Sequence, residues 1–213
     1  MLRGDWRREA VLDSFSRSAA RIIVESGAVS FGLYKLSSGG TSRVYVDMRV
    51  IPGNPRLFKR LLSLAASLAY SIGLDREVDV VVGVATGGLS WATGLALQLD
   101  KPLAYVRPDV KIHGKGRVVE GSVSGLRALV VDDVATTGSS LERAVSVLRR
   151  DGSRPVAVLV LLDRLQGARK RLKKKVDGFY SLSTIIHVLE EAQRTGIASE
   201  GDLEAVRREL VGV

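Results

Sequence analysis

A chain of 213 residues with 46% apolar side chains can bury one substantial core, and 26% charged residues make it read as soluble. Its longest apolar run, Val156 to Leu162, falls far short of the roughly 20 residues a membrane helix needs, and Met1 to Arg7 holds no apolar signal-peptide core, so no membrane association and a cytoplasmic location are expected. The absence of cysteine excludes disulfides, thiolate catalysis and cysteine metal sites, while a net charge of +9 points to anionic partners, either nucleic acid or phosphorylated small molecules.

In chain order, residues 7 to 26 predict an amphipathic helix. Lys35 to Arg49 contains a Gly-Gly turn before an alternating strand, Val44 to Met48, and Asn54 to Ser71 predicts another helix. From there short apolar runs alternate with helical patterns, which argues for a parallel sheet covered on both faces. Val78 to Val84 reads as a buried strand, Leu89 to Leu99 as a helix and Leu103 to Val106 as a second strand, which enters a polar, Gly-rich stretch, Arg107 to Gly125. Ala128 to Val131 is the third strand. The helix from Ser139 to Arg150 repeats Leu141, Ala144, Val145 and Leu148 at the spacing of a core-facing stripe. Val156 to Leu162 is the fourth strand. This rhythm is the doubly wound α/β plan, in which ligands bind beyond the carboxyl ends of the strands. Six of the positive charges crowd into Ala168 to Val176 (Arg169, Lys170, Arg171, Lys173, Lys174 and Lys175) and read as the solvated face of a helix or a basic rim, with a nucleic-acid patch as the alternative. Ser183 and Ser199 stand at N-cap positions ahead of helices near 184–194 and 200–210.

The most informative stretch is Ala128-Leu129-Val130-Val131-Asp132-Asp133-Val134-Ala135-Thr136-Thr137-Gly138-Ser139-Ser140. Four apolar residues are expected to end the strand and leave two carboxylates side by side where a ligand would lie. The following turn offers backbone amides, Thr and Ser hydroxyls and a helix N-terminus, a combination suited to a phosphate monoester. Gly138 lets the backbone approach closely or take a positive φ. The carboxylates would repel that phosphate; they suit sugar hydroxyls, with a divalent cation nearby to offset their charge. A ribose diol beside a phosphate follows. A plain strand–turn–helix connection with a Thr or Ser cap is the simpler alternative.

These thirteen residues resemble the diphosphoribosyl-binding signature of type I phosphoribosyltransferases. The resemblance implies that family's fold, a mostly parallel central sheet flanked by helices with a small N-terminal hood. It implies one domain, with a hood from about residues 1–50 plus the C-terminal helices and a core from about 55–182. It also implies 5-phosphoribosyl 1-diphosphate as donor with Mg2+, ribose hydroxyls on Asp132 and Asp133, and a 5-phosphate wrapped by the turn through Val134, Ala135, Thr136, Thr137, Gly138, Ser139 and Ser140.

The stretch Tyr105 to Gly116 carries Arg107, Lys111 and His113 in a segment long enough to be a lid. Cations on a closing loop suit a pyrophosphate leaving group, and closure excludes water from an activated sugar. This stretch is similar to the catalytic loop of orotate phosphoribosyltransferases, whose Arg-Lys-x-x-Lys-x-His-Gly pattern matches at Arg107, Lys111, His113 and Gly114; Pro108 replaces the usual second lysine. The resemblance implies that Arg107, Lys111 and His113 are catalytic, and that a homodimer forms in which the 107–116 loop acts on the neighbouring subunit's site. Phe31 to Asp47 resembles the family's segment that covers the base, implying contacts from Tyr45 and Val46, with Ser37 where many members carry lysine. Asp163-Arg164 looks like the family's Asp-Arg pair, which makes Arg164 the clamp for the orotate carboxylate; by the same resemblance Thr136 is a second orotate contact. Gly83-Val84-Ala85-Thr86-Gly87-Gly88 ends a strand and opens a helix, and its free amides at Thr86 and Gly87 suit the donor's pyrophosphate, where many relatives have Tyr-Lys. The expected activity is orotate phosphoribosyl transfer in pyrimidine synthesis. The rivals are a purine-type transferase and a regulatory relative that binds nucleic acid, the latter motivated by the basic run.

Overall fold

Apolar β-branched runs separated by amphipathic helices dictate the architecture. The computed structural model describes residues 5–35, 41–108 and 118–211. Its elements are α1 (Asp5–Glu25), β1 (Val29–Lys35), β2 (Thr41–Val46), a 3-10 turn (Met48–Gly53), α2 (Pro55–Ser71), α3 (Leu74–Glu77), β3 (Val80–Val84), α4 (Leu89–Leu99), β4 (Leu103–Val106), β5 (Val119–Glu120), β6 (Arg127–Ala135), α5 (Ser139–Arg150), β7 (Arg154–Asp163), α6 (Ala168–Leu172), β8 (Gly178–Thr184), α7 (Ile185–Arg194) and α8 (Glu200–Val211). The chain divides into two compact units, Leu62–Leu182 and a smaller one made of Met1–Leu61 with Ser183–Val213. Among the described residues no helix is long and apolar enough to cross a membrane.

In the larger unit a six-stranded sheet runs β5-β4-β3-β6-β7-β8. β3 pairs in parallel with β4 and β6, β6 pairs in parallel with β7, and the short β5 lies antiparallel on β4. β3 and nearly all of β7 are buried residue after residue, as strands covered on both faces must be. The expected stripe on α5 is buried at Leu141, Ala144, Val145 and Leu148. Just ahead of β3, Asp79 accepts from the Arg127 amide and Nε at 2.9 Å each and from Nη2 at 2.8 Å, pinning the start of β6. The Arg127 guanidinium and amide hold the Asp79 carboxyl well below the usual carboxylate range. A depressed folded-state value stabilises the protein fully above the ordinary Asp value of about 3.9 and is lost as pH falls below it. Asp79→Asn should therefore lower the melting temperature at neutral pH, and acidification below about pH 4 should close the gap to wild type. A thermal scan series across pH checks this; a gap that persisted in acid would contradict it.

In the smaller unit β1 and β2 form an antiparallel pair with a bulge between Phe31 and Tyr34, and α8 packs on β2. α1 packs against α7, with His187 Nε2 3.1 Å from Asp13 and Arg17 3.2 Å from Glu190.

Several expectations need correcting. The third strand does not stop at Val131; it continues through both carboxylates to Ala135, because Asp132, Val134 and Ala135 pair with Val160, Leu162 and Asp163 of β7. Val44 and Tyr45 do lie in a strand, but it spans Thr41–Val46, and Met48 opens the 3-10 turn. Ser183 caps nothing: it is a buried residue of β8 whose hydroxyl donates to the Ser16 carbonyl at 2.9 Å, and Thr184 precedes α7. Ser199 does cap α8, accepting from the Asp202 amide at 3.2 Å while the Asp202 carboxylate accepts from the Ser199 amide at 3.1 Å.

Candidate functional site

Asp132 and Asp133 are successive residues at the end of β6, and their carboxyl groups meet: Asp132 Oδ1 accepts from the Asp133 amide at 3.0 Å and the two side chains share a hydrogen bond. Asp132 is buried, and the Ser140 hydroxyl bonds to its carboxylate. Burial first, and the charge of Asp133 second, push the Asp132 carboxyl well above the usual range. Asp133 is half-buried, and its Oδ1 accepts from the Val134 amide at 2.8 Å.

The turn after β3 closes onto this pair. The Ala85–Thr86 peptide is cis, the Gly88 amide donates to Val84 O at 2.9 Å, and the Leu89 amide donates to Thr86 O at 3.2 Å. A side chain on Gly87 would meet the Asp133 carboxylate, its Cβ lying 2.6 Å from Cγ. A side chain on Gly88 would meet backbone, 2.6 Å from Val131 O and 2.8 Å from Asp132 Cα. Glycine is thus required for space at Gly88, where the neighbours are backbone, and the turn expected to take pyrophosphate lies against the carboxylate expected to take the ribose diol.

The loop after β6 leads straight into α5. Gly138 sits at φ +79 as its N-cap, and among the described residues no side chain caps the helix, so its leading amides are left for an anion. Thr137 and Ser139, both exposed, bring their hydroxyl oxygens within 3.1 Å of each other. Thr136 is half-buried, and the Arg164 amide donates to Ala135 O at 2.8 Å, which draws the end of β7 to the same place. The Arg164 side chain is half-buried, while Asp163 is almost fully buried and accepts from the Leu165 amide at 2.8 Å. Burial raises the Asp163 carboxyl, opposed by that amide and by the charge of Arg169. A cavity of about 400 Å3 opens beside them, lined by Asp163, Leu165, Gly167, Arg169, Lys170 and Lys173.

At the root of the proposed lid, Arg107 Nη1 lies 3.3 Å from Glu120 and the Arg107 carbonyl accepts from Arg143 of α5 at 2.9 Å. Lys111 and His113 lie outside the described residues, as do Ser37 and Gly114. Thr86–Gly87, Asp132–Asp133, Thr136–Ser140, Arg164 and the Arg107 root all fall within the larger unit. Tyr45 and Val46 belong to the smaller one. There the Tyr45 ring lies 5.4 Å from that of Tyr34 and its hydroxyl accepts from Arg49 at 3.4 Å.

The basic run forms α6 and the turn beyond it, and part of it is engaged inside the chain. Arg169 donates to Phe179 O at 3.0 Å and lies 5.0 Å over the Phe179 ring, while Arg171 and Lys175 both pair with Glu142. By its local pattern the run is solvent-facing, and nothing in it marks Arg171 as a neighbour of the Thr136–Ser140 loop. Its partners, Thr137 and Glu142, lie about thirty residues upstream, and only the fold brings them together.

Residues 54–193 match the model of the phosphoribosyl transferase domain. The orotate phosphoribosyltransferase of Pyrobaculum aerophilum is 42% identical over 171 residues, covering 79% of this chain and 86% of that protein. The Aeropyrum pernix orotate phosphoribosyltransferase is 43% identical over 175 residues, covering 81% and 91%. Its crystal structure superposes with a TM-score of 0.70, covering 82% of this chain and 99% of that one at 40% identity. The Mycobacterium tuberculosis orotate phosphoribosyltransferase in complex with 5-phospho-α-D-ribosyl 1-diphosphate superposes with a TM-score of 0.64 at 26% identity, covering 82% and 98%.

Proposed function

Since this chain belongs to the orotate phosphoribosyltransferases within the phosphoribosyl transferase domain family, we propose that it transfers ribose 5-phosphate from 5-phosphoribosyl 1-diphosphate to N1 of orotate, releasing diphosphate in pyrimidine nucleotide synthesis. The observation that carries the reading is convergence: the 85–88 turn, the Asp132–Asp133 pair and the loop into α5 meet at one end of one sheet. Donor binding places the 5-phosphate on the amides and hydroxyls of Thr136 to Ser140. The ribose diol lies on Asp132 and Asp133, and the diphosphate on the backbone of Thr86 and Gly87. The two carboxylates are hard oxygen ligands and would suit Mg2+ bound beside the donor. When bound, that ion offsets the charge of the diphosphate.

Arg164, with Thr136 as a further contact, holds orotate by its carboxylate. Orotate N1 bonds to ribose C1 and gives up its proton to the solvent as the C1–O bond breaks and its electron pair leaves with diphosphate, whose departing charge Arg107, Lys111 and His113 stabilise. No residue acts as a covalent nucleophile; the rate comes from positioning and from charges fixed in advance. We place the enzyme in the cytoplasm as a homodimer, with each 107–116 loop acting on the neighbouring subunit's site. The test is the fall in orotate absorbance on mixing enzyme, orotate and donor with and without magnesium. Turnover should need all of them, and adenine, guanine, hypoxanthine and xanthine should not replace orotate. Turnover of a purine in place of orotate would overturn the reading.

The carboxylate clamp has its own signature. Arg164→Gln should raise the KM for orotate about a hundredfold, the worth of a two-pronged charged hydrogen bond, and leave the donor KM within about threefold. Steady-state kinetics in each substrate measures both. An unchanged orotate KM would remove Arg164 from the base site.

A further inference from the structure

The loop proposed to wrap the 5-phosphate presents its amides to the ligand only if its carbonyls turn away, and all of the carbonyls from Thr136 to Gly138 are held on the far side. Thr136 O accepts from the Ala168 amide at 3.2 Å, Thr137 O from Arg171 Nε at 2.7 Å, and Gly138 O from the Glu142 amide at 2.9 Å. Backbone–backbone bonds make the outer pair; the middle one depends on a side chain. Arg171 is itself fixed, since its Nη1 donates to Glu142 at 2.8 Å from the first turn of α5, and Lys175 holds the other carboxylate oxygen at 2.6 Å. Gly138, with Ala168 Cα only 2.9 Å from where its Cβ would stand, lets α6 lie directly behind the loop.

We propose that Arg171 is a positioning residue for the phosphoribosyl donor: it locks the Thr137 carbonyl away from the site so that the neighbouring amides stay aimed at the 5-phosphate. A freed Thr137–Gly138 peptide can rotate, trading a donor for a carbonyl oxygen facing an anion, which weakens phosphate binding without touching the reacting bond. In this role Arg171 acts through the Thr137 carbonyl and the Glu142 carboxylate. The guanidinium is suited to the task because it serves two acceptors from one rigid plane, which an ammonium cannot do. The inference rests on the assignment of this loop to the 5-phosphate.

The test is donor kinetics at saturating orotate. Arg171→Met should raise the donor KM about tenfold and leave kcat within about twofold, as expected for lost ground-state and transition-state binding in equal measure. Arg171→Lys should fall between the two, since it keeps the charge near Glu142 and loses the bridge. Lys175→Met removes an equal charge from the same ion-pair network without touching the loop, and its donor KM should stay within about twofold of wild type. The side chain of Arg171 is 41% exposed, so the variants should fold, and a thermal scan reports whether they do. An Arg171→Met enzyme with an unchanged donor KM would overturn the inference, as would a loss confined to kcat or an equal rise in Lys175→Met. If wild-type enzyme failed to use the donor at all, the assigned function would fail first and take this inference with it. An active wild type with an unaffected Arg171→Met would sink the inference alone.

Discussion

Asp133→Asn should lose about two to three orders of magnitude in kcat/KM for the donor, the cost of replacing a carboxylate proposed to accept charge-assisted bonds from the ribose diol. The substitution is mild in every other respect. Asp133 Oδ1 accepts from the Val134 amide at 2.8 Å, and its carboxyl also bonds to that of Asp132; an asparagine amide can stand in for both. The neutral side chain also relieves Asp132 of a like charge, leaving burial as the chief reason that its carboxyl titrates high. Asp132 cannot replace the lost charge, since its own carboxyl is buried and already bonded to the Ser140 hydroxyl. Steady-state kinetics with magnesium in excess measures the loss, and a value within threefold of wild type would deny Asp133 its proposed role.

Gly88→Ala should strike the scaffold and the site together. Its backbone is ordinary, with φ −73, so the cost is not conformational. The added methyl would stand 2.6 Å from Val131 O, 2.8 Å from Asp132 Cα and 2.9 Å from Val84 O, all backbone atoms of the paired central strands β3 and β6. None of these can move by a side-chain rotation, in contrast to the carboxylate opposite Gly87. Forcing extra volume into such a place costs about 3 kcal/mol, which in a chain of this size is a fall of about 10 °C in melting temperature. Activity should fall even where the protein remains folded, because any relief must push the 85–88 turn away from Asp132 and Asp133. Calorimetry with a parallel assay checks both parts; an alanine enzyme of native stability and turnover would mean that the strands accommodate the methyl.

What the sequence made legible and what it concealed divide along the range of the interactions. α4, β4 and α5 begin and end where their local patterns place them, because burial of a periodic stripe and a glycine at each helix start are written within a dozen residues. The turn at Gly138 was equally legible, since that glycine takes its positive φ within the motif itself. β6 outruns its apolar run because Asp132 to Ala135 are strand only by virtue of pairing with β7, some thirty residues away. β5 has two residues and no pattern to detect, and β8 hides its strand character behind Ser181, Ser183 and Thr184. The buried Ser183 hydroxyl is satisfied by the Ser16 carbonyl, 167 residues distant. Arg171 was concealed in the same way: within its run it is one cation among six, and only the fold lays it against Thr137.

All of this depends on the end of β6 cradling a phosphorylated sugar, and a crystal structure with the donor or the nucleotide product bound examines that most directly. The 5-phosphate should lie on the amides of the Thr136–Ser140 turn, with Asp132 and Asp133 against the ribose hydroxyls and the Thr137 carbonyl still held by Arg171. A ligand bound elsewhere, with that turn vacant and both carboxylates engaged only by protein groups, would contradict it.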